Sequence, residues 1–320
     1  MKPNAVLSLL QDGQVHSGEH LAEQLGVSRT AVWKQLRKAM DEGCQIETVR
    51  GRGYRLLQPV DLLDEADLVA ALADDQRRRL SLTLLEAVDS TNAEVIRRWP
   101  TAAGIPVCIA DCQTAGRGRR GRTWQSPKGE NLYMSLGLTF QGGFAALDGL
   151  SLVLGVAVAE ALESLGAAEV GLKWPNDIFA PGGKLGGILV ELQGEWQEGI
   201  AQVIVGIGIN VHMNDAGGVD QPWRSLDLAY PEQHWSRNRI AAAILGRILA
   251  CSDQFAGEGF APFIEPWQSR DIFRDKALRA RDGALAGIGA GIDASGNYLL
   301  DTDEGRVAVR AGEISLRAAS

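Results

Sequence analysis

Between Gln113 and Trp124 the chain concentrates residues suited to chemistry on an anion. From Gly116 to Arg122, three glycines are interleaved with four arginines. Glycine lets a backbone approach a ligand closely, and each arginine offers a planar fork of donors matched to phosphate or carboxylate. Placed after an apolar stretch that reads as a strand, Val107–Asp111, such a loop is built to close over a negatively charged ligand. Gly116, Gly118 and Gly121 also satisfy GxGxxG, so a dinucleotide site is a competing reading. That fingerprint requires a helix to begin at the glycines and receive the pyrophosphate, and Pro127, Gly129 and Asn131 do not continue one. A merely solvated charge run leaves the glycines unexplained.

Two more segments carry candidates. Lys173-Trp174-Pro175-Asn176-Asp177 turns polar and rigid after apolar residues, and Lys173 and Asn176 either touch a ligand or position the loop. Gly182 to Glu191 sets Lys184 between two glycine pairs, the second being Gly186-Gly187, at the entry to an apolar strand. It is not a P-loop, because Ile178 stands where the first glycine belongs and Leu185 replaces Ser or Thr. Lys184 is either a hairpin-turn lysine or a fixed cation for phosphate or carboxylate, and its glycine flanks favour the second. Gly206-Ile207-Gly208-Ile209-Asn210 ends another apolar strand with an amide, its glycines marking close approach of ligand or backbone.

These segments need a scaffold, and periodicity supplies one. Over residues 65–268, strands at Leu82–Ala87, Val107–Asp111, Leu132–Thr139, Gly187–Leu192 and Gln202–Val211 are mixed with helical patterns. Leu150, Val153, Leu154, Ala157, Val158, Ala161, Leu162 and Leu165 recur at i, i+3, i+4 spacing, which predicts a long helix with one buried face. The mixture implies a sheet covered by helices. Residues 270–320 carry short glycine-separated strands, at Ala284–Ile292, Tyr298–Leu300, Arg306–Val309 and Glu313–Leu316, and predict a small β-barrel.

Residues 1–60 form a first unit. Ser17 caps a helix that Gly26 ends, and Ser28 caps a second, Arg29–Met40, stopped by Gly43. Strands Ile46–Val49 and Tyr54–Leu57 flank the turn Gly51-Arg52-Gly53, so the unit reads as a winged helix-turn-helix. Pro59 and the acidic run from Asp61 to Asp67 read as a linker. A chain beginning near Leu62 is expected to keep ligand chemistry and lose whatever the first unit binds.

The whole chain carries a net charge of −8, yet residues 28–55 hold seven basic against three acidic residues, a local +4. DNA recognition needs cations for phosphates and a helix for base edges. Ser28, Arg29 and Thr30 begin the second capped helix, where base edges are usually read. Lys34, Arg37 and Lys38 lie further along it, and Arg50, Arg52 and Arg55 lie on the wing. The competing reading is a winged helix that binds protein.

At 320 residues, 45% hydrophobic and 22% charged, the chain is long enough for two or three domains with a sizeable core. The four cysteines form no CxxC pair and read as reduced thiols, and no metal-ligand pattern is present. No leader pattern opens the chain. The longest apolar stretch, Leu150 to Leu165, is shorter than the ~20 residues of a membrane span and contains Glu160 and Glu163. The expected location is the cytoplasm, away from membrane.

Taken together, Asp89-Ser90-Thr91-Asn92, Gln113 through Trp124, Lys173 through Asp177, Gly183 through Glu191, Gly206 through Asn210 and Gly312 through Arg317 run in an order that resembles the bifunctional biotin–protein ligases and biotin-operon repressors. The resemblance covers nearly the whole chain, the helix-turn-helix included. It implies an α+β multidomain protein: a winged helix-turn-helix, a central mixed sheet with helices similar to class II aminoacyl-tRNA synthetases, and an SH3-like C-terminal barrel. It implies that Ser90, Thr91, Asn92 and Gln113 hold the biotin ureido ring. Gly116, Arg117, Gly118, Arg119, Arg122, Trp124 and Gly187 would line biotin or its adenylate, and Lys184 would meet the reacting carboxylate with Arg119 beside it. Asp215 to Trp223 would be an adenylate-ordered loop with Trp223 near adenine. The implied cofactors are biotin as substrate, ATP and Mg2+. The implied partners are the biotin carboxyl carrier protein of acetyl-CoA carboxylase, operator DNA and a second copy of the chain, paired through sheet edges near Gln202 to Val211. Lipoate or octanoate transfer on the same fold, and a ligand-sensing transcription factor without catalysis, remain the alternatives.

Overall fold

Short-range punctuation shapes the first unit. The computed structural model describes residues 5–41, 44–143, 147–193, 199–215, 221–280, 285–310 and 316–318. Helices α1 (Ala5–Leu10), α2 (Gly18–Leu25) and α3 (Arg29–Asp41) precede the hairpin β1 (Ile46–Val49) and β2 (Gly53–Leu56). Ser17 Oγ accepts from the His20 N–H at 3.0 Å, and Gly26 ends α2 at φ 63°. Ser28 Oγ accepts from the Ala31 N–H at 3.2 Å at the head of α3. Gly53, at φ 137°, leaves no room for a side chain, since a Cβ would lie 1.9 Å from the His16 carbonyl oxygen. Val6, Leu10, Leu21, Val32, Leu36 and Leu56 close a small separate core. Gly43, expected to stop α3, lies outside the described residues.

The central unit follows through α4 (Glu65–Ala71), α5 (Asp74–Arg79), β3 (Leu80–Leu85), α6 (Thr91–Arg98), β4 (Ile105–Ala110), β5 (Asn131–Gln141), α7 (Leu150–Ser164), β6 (Gly171–Lys173), β7 (Asp177–Ala180), β8 (Gly183–Gln193), β9 (Ile200–Asn210), α8 (Leu226–Ala229), α9 (Arg237–Glu258) and α10 (Ile264–Gln268). Its seven strands run in the order β3-β4-β5-β9-β8-β7-β6. Only β3 and β4 pair in parallel; the other ladders are antiparallel. Helix α6 packs on one face, where Val95 meets Cys108 and Ile204. Helices α7 and α9 cover the other, over Val203, Val205, Ile207 and Ile209.

Two expectations need correction. Helix α7 is buried on more than one face, because Leu152, Val156 and Ala159 join the expected stripe. It packs against the sheet, along α9 and against α10. Strand β9 is the centre of the sheet, hydrogen-bonded to β5 along all eleven residues and to β8 over eight of its registers. From Gln202 to Ile209 it is paired on both sides, so it offers no edge there for pairing a second copy. By length and composition α9 is long and apolar enough to cross a membrane, but most of it is buried against α4, α7 and β5.

The C-terminal strands β10 (Ala277–Ala280), β11 (Ala286–Ile292), β12 (Tyr298–Thr302), β13 (Gly305–Val309) and β14 (Leu316–Ala318) form one antiparallel sheet ordered β13-β12-β11-β10-β14. Among the described residues no ladder joins β13 to β14, so the sheet is open there. Strand β10 was not foreseen. The expected strand residues Ala284 and 313–315 lie outside the described residues. Trp174, in the loop before β7, donates its Nε1–H to the Gly296 carbonyl at 3.0 Å and ties this sheet to the central unit.

The linker is more than a tether. Gln11 Nε2 donates to the Val60 carbonyl, and Asp61 enters the central unit. There its carboxylate accepts the Arg237 backbone N–H at 2.5 Å and meets His212 Nε2 at 3.0 Å, while Asp227 meets His212 Nδ1 at 2.9 Å. Burial opposes protonation of His212, but its hydrogen bonds to the two carboxylates outweigh that and raise its pKa. A chain starting at Leu62 would lack Asp61. It is expected to melt several degrees below one starting at Gln58, since hydrogen bonds to charged groups contribute about 1.5–3 kcal/mol each. Coincident melting curves would show that Asp61 contributes nothing.

Candidate active site and DNA-binding face

Side chains alternate along a strand, and β9 uses that alternation to make a floor. Its valines and isoleucines at 203, 205, 207 and 209 face the helical core, leaving Gly206 and Gly208 on the α6 face. A Cβ on Gly206 would lie 2.3 Å from Asn92 Oδ1, and one on Gly208 would lie 2.7 Å from the Trp124 ring. The side chains of Asn92 and Trp124 therefore rest directly on backbone.

Above this floor stands a polar wall. Ser90, Thr91 and Asn92, at the start of α6, are all buried. The Thr91 N–H donates to Gln113 Oε1 at 2.9 Å, and Thr91 Oγ1 lies 3.1 Å from the same oxygen. Gln113 Nε2 donates to Ser126 Oγ at 3.3 Å. Buried Ser135, on β5, lies 2.7 Å from Thr91 Oγ1 and 2.5 Å from Asn92 Oδ1. Asn92 Nδ2 donates to Glu191 at 2.6 Å, and Arg117 stands 3.7 Å from that carboxylate. Beside the wall, α6 is anchored by Arg97, whose hydrogen bonds hold the Asp89 carboxyl down at about 2.

The cations come from the loop and from β8. The loop reverses at Arg120 and Gly121, at φ 58° and 70°. Arg119 Nη1 donates to Asn176 Oδ1 at 3.1 Å, and Asn176 Nδ2 donates to the Ile188 carbonyl at 2.5 Å. Burial lowers the Arg119 pKa, an effect Asp177 opposes; a guanidinium stays charged regardless. Lys184 Nζ pairs with Asp177 at 2.6 Å and lies 5.5 Å from the Trp124 ring centre. Gly187 leaves space beside that pair: a Cβ would come within 3.6 Å of Lys184 Nζ. The segment carrying Trp223 lies alongside, with the Lys184 N–H donating to the Pro222 carbonyl at 3.0 Å. An adjoining cleft of ≈ 380 Å³ is lined by Gln113, Thr123, Trp124, Ser126, Met213 and Asp215.

Half of the expected ligand residues thus converge: Thr91, Gln113, Arg117, Arg119, Trp124, Asn176, Lys184 and Gly187. Gly118 and Arg122 meet within the loop, where the Gly118 N–H donates to the Arg122 carbonyl at 2.7 Å. A Cβ on Gly116 would lie 2.8 Å from the Trp124 carbonyl oxygen, so that glycine closes the base of the loop. Two expected residues are engaged elsewhere. Lys173 Nζ lies over the rings of Phe179 and Phe273, at 5.5 and 5.3 Å, because the strand's register directs it toward the C-terminal unit. Asn210 is buried and donates its Nδ2–H to the Arg224 carbonyl at 3.0 Å, which holds the Trp223 segment. Ser135 was missed; the available signal was a serine set between the apolar Met134 and Leu136 of β5. Residues 216–220 of the expected adenylate loop lie outside the described residues.

On the first unit, Ser28, Arg29, Thr30, Lys34, Arg37, Arg50 and Arg52 are all exposed. Lys38 and Arg55 are not available in the same way, being paired with Glu86 and Glu47, each at 2.6 Å. Trp33, missed in the sequence, is 50% exposed on α3 with the Arg37 guanidinium 5.7 Å over its ring.

The fold and the site define a ligase-type domain of the biotin/lipoate class behind a helix-turn-helix. The profile described as the biotin/lipoate A/B protein ligase family matches residues 84–210. A helix-turn-helix profile matches 4–55, and the biotin protein ligase C-terminal domain matches 276–317. The bifunctional ligase/repressor BirA of Salmonella typhimurium is 40% identical, over 99% of this chain and 98% of its own. That of Escherichia coli is also 40% identical, over 100% and 99%. The solved biotin protein ligase of Aquifex aeolicus, in complex with biotin and ATP, superposes with a TM-score of 0.66 at 32% identity, covering 75% of this chain and 99% of that one. The chain belongs to the biotin protein ligase family, in the bifunctional ligase/repressor form that carries a helix-turn-helix.

Proposed function

We propose that this protein is an ATP-dependent biotin–[biotin carboxyl carrier protein] ligase and a biotin-responsive repressor of biotin synthesis genes. The observation that carries the ligase reading is the meeting of Arg119, Asn176, Asp177 and Lys184 beside the wall of Thr91 and Gln113. The wall suits a neutral ring bearing N–H and C=O groups, and the cations suit a carboxylate meeting a phosphate. A biotin carboxylate oxygen attacks the α-phosphorus of ATP, the α–β anhydride bond breaks, and pyrophosphate leaves. The ε-amine of a carrier lysine then attacks the acyl carbon, AMP departs with the bonding electrons, and the amine proton passes to solvent. Lys184 and Arg119 stabilise the charge developing on phosphate in both steps. Trp223 takes its place near adenine, and Ser90 and Arg122 complete the ligand shell.

Mg2+ is read as arriving with ATP, held by the nucleotide's phosphates and water. Units 1–60, 65–268 and 270–320 are read as winged helix-turn-helix, class II synthetase-like catalytic domain and SH3-like domain, in a cytoplasmic homodimer. Two copies supply the two recognition helices that a palindromic operator requires.

Incubation with ATP, labelled biotin and a carrier domain tests the ligase reading: label is expected on the carrier. If neither labelled carrier nor biotin-dependent pyrophosphate forms, the reading is wrong. For the operator, Trp33→Ala is expected to weaken binding about tenfold with an unchanged salt slope, because an aromatic face touches bases and sugars without displacing counterions. Arg50→Ala with Arg52→Ala should flatten the slope instead. Gel shifts over a salt series check both, and a flattened slope in Trp33→Ala would be inconsistent with base contact.

A further inference from the structure

The polar wall has a proton order that its heavy atoms determine. A carboxylate only accepts hydrogen bonds. Asn92 must therefore present its nitrogen to Glu191, at 2.6 Å, and its oxygen to Ser135, at 2.5 Å. An amide oxygen also only accepts, so the single hydroxyl proton of Ser135 goes to Asn92. Ser135 Oγ has then spent its proton, and the proton in its 2.7 Å contact with Thr91 Oγ1 must belong to Thr91. Nothing is left for the 3.1 Å contact between Thr91 Oγ1 and Gln113 Oε1. Gln113 cannot turn its amide to compensate, because Oε1 accepts the Thr91 backbone N–H at 2.9 Å and Nε2 faces Ser126 Oγ at 3.3 Å.

Two acceptor oxygens thus stand side by side with no hydrogen between them. Such a pair is repulsive until a donor reaches both. We propose that Glu191, acting through Asn92 and Ser135, is the positioning residue that makes Thr91 and Gln113 a double acceptor for one N–H of the substrate ring. Glu191 and Ser135 are then specificity determinants. A ureido ring offers N–H donors, whereas a dithiolane or an alkyl chain offers none and would leave the two oxygens facing each other, desolvated. The relay favours biotin over the lipoyl- and octanoyl-type substrates of related ligases, and it rests on the biotin reading proposed above. In this assignment Asn92 serves the relay, both ends of its amide being occupied inside the protein.

The test uses Glu191→Gln and Ser135→Ala in the full-length protein. Glutamine keeps the shape of Glu191 but can donate, which lets Asn92 turn and the proton order reverse. Calorimetry would measure binding of biotin, of an analogue with one ring N–H replaced by oxygen, and of MgATP. Wild type is expected to prefer biotin to the analogue. Both variants are expected to lose about 10- to 100-fold in biotin affinity, the cost of a mispaired buried group. They should lose far less for the analogue and nothing for MgATP, with KM for biotin raised and kcat near wild type. If wild type binds no biotin, the functional reading fails. If it binds biotin and Glu191→Gln does so within twofold, with the same preference over the analogue, the relay is overturned. Equal losses for biotin, analogue and MgATP would also overturn it, because that pattern belongs to a residue that only supports the fold.

Discussion

Lys184→Gln is expected to lower biotin-dependent pyrophosphate release by ~10²-fold or more, the usual effect of removing one preorganised donor from a developing oxyanion. Lys184 Nζ is only 2.6 Å from Asp177 and lies over the Trp124 ring, in a site whose floor is bare backbone. Glutamine preserves much of the length and a donor, so the substitution isolates the charge. It also leaves Asp177 without its partner, adding a carboxylate where the reaction gathers negative charge on phosphate. Both effects act in the transition state, so kcat should fall more than KM rises. Rapid-quench measurement of pyrophosphate with saturating biotin and MgATP is the direct check. Wild-type release by the variant would leave Lys184 as a structural partner of Asp177 and nothing more.

Arg237→Ala is expected to cost about 3–5 kcal/mol of stability, the effect of stranding a buried charge. The Arg237 side chain is fully buried, and Nη1 donates to Asp111 Oδ1 at 2.9 Å and to the Asn131 carbonyl at 3.3 Å. Nε donates to the Asp61 carbonyl at 3.1 Å, and Nη2 donates to the same oxygen. Asp111 is 3% exposed, so the substitution removes a charged partner from a buried carboxylate. The loss would be felt at three places, because Asp61 begins the central unit, Asp111 leads into the arginine–glycine loop and Arg237 opens α9. Denaturant unfolding of the two proteins, compared at equal m-value, measures it. A change below 1 kcal/mol would mean that the cluster holds little of the fold.

What could be read from the residues alone was whatever a few neighbours decide. Ser17, Gly26 and Ser28 cap or end helices through bonds reaching three or four residues, so the helix-turn-helix was legible almost to the residue. The arginine–glycine loop and the glycine-flanked Lys184 declared their chemistry for the same reason: composition over a short window sets how closely backbone and charge can approach a ligand. Strands β3, β4, β5 and β9 were placed within about two residues, as alternation permits, whereas β8 begins four residues before its expected start and the short strands β7 and β10 were not foreseen. The order in which strands pair has no such local signature, since β5 and β9 are joined across 58 intervening residues. Periodicity could therefore not tell that β9 is central rather than an edge, nor that α7 would be enclosed beyond one stripe. The same holds for single side chains. Whether Lys173 touches a ligand or positions the loop was open from its place in a motif, and only the fold shows its ammonium over the aromatic rings of Phe179 and Phe273. Ser135 and Thr91, 44 positions apart, share a proton only because the sheet brings β5 under the start of α6. Local sequence determined which groups were available to this protein. Tertiary packing decided which of them face one another, because burial makes each polar group find a partner wherever the fold happens to supply one.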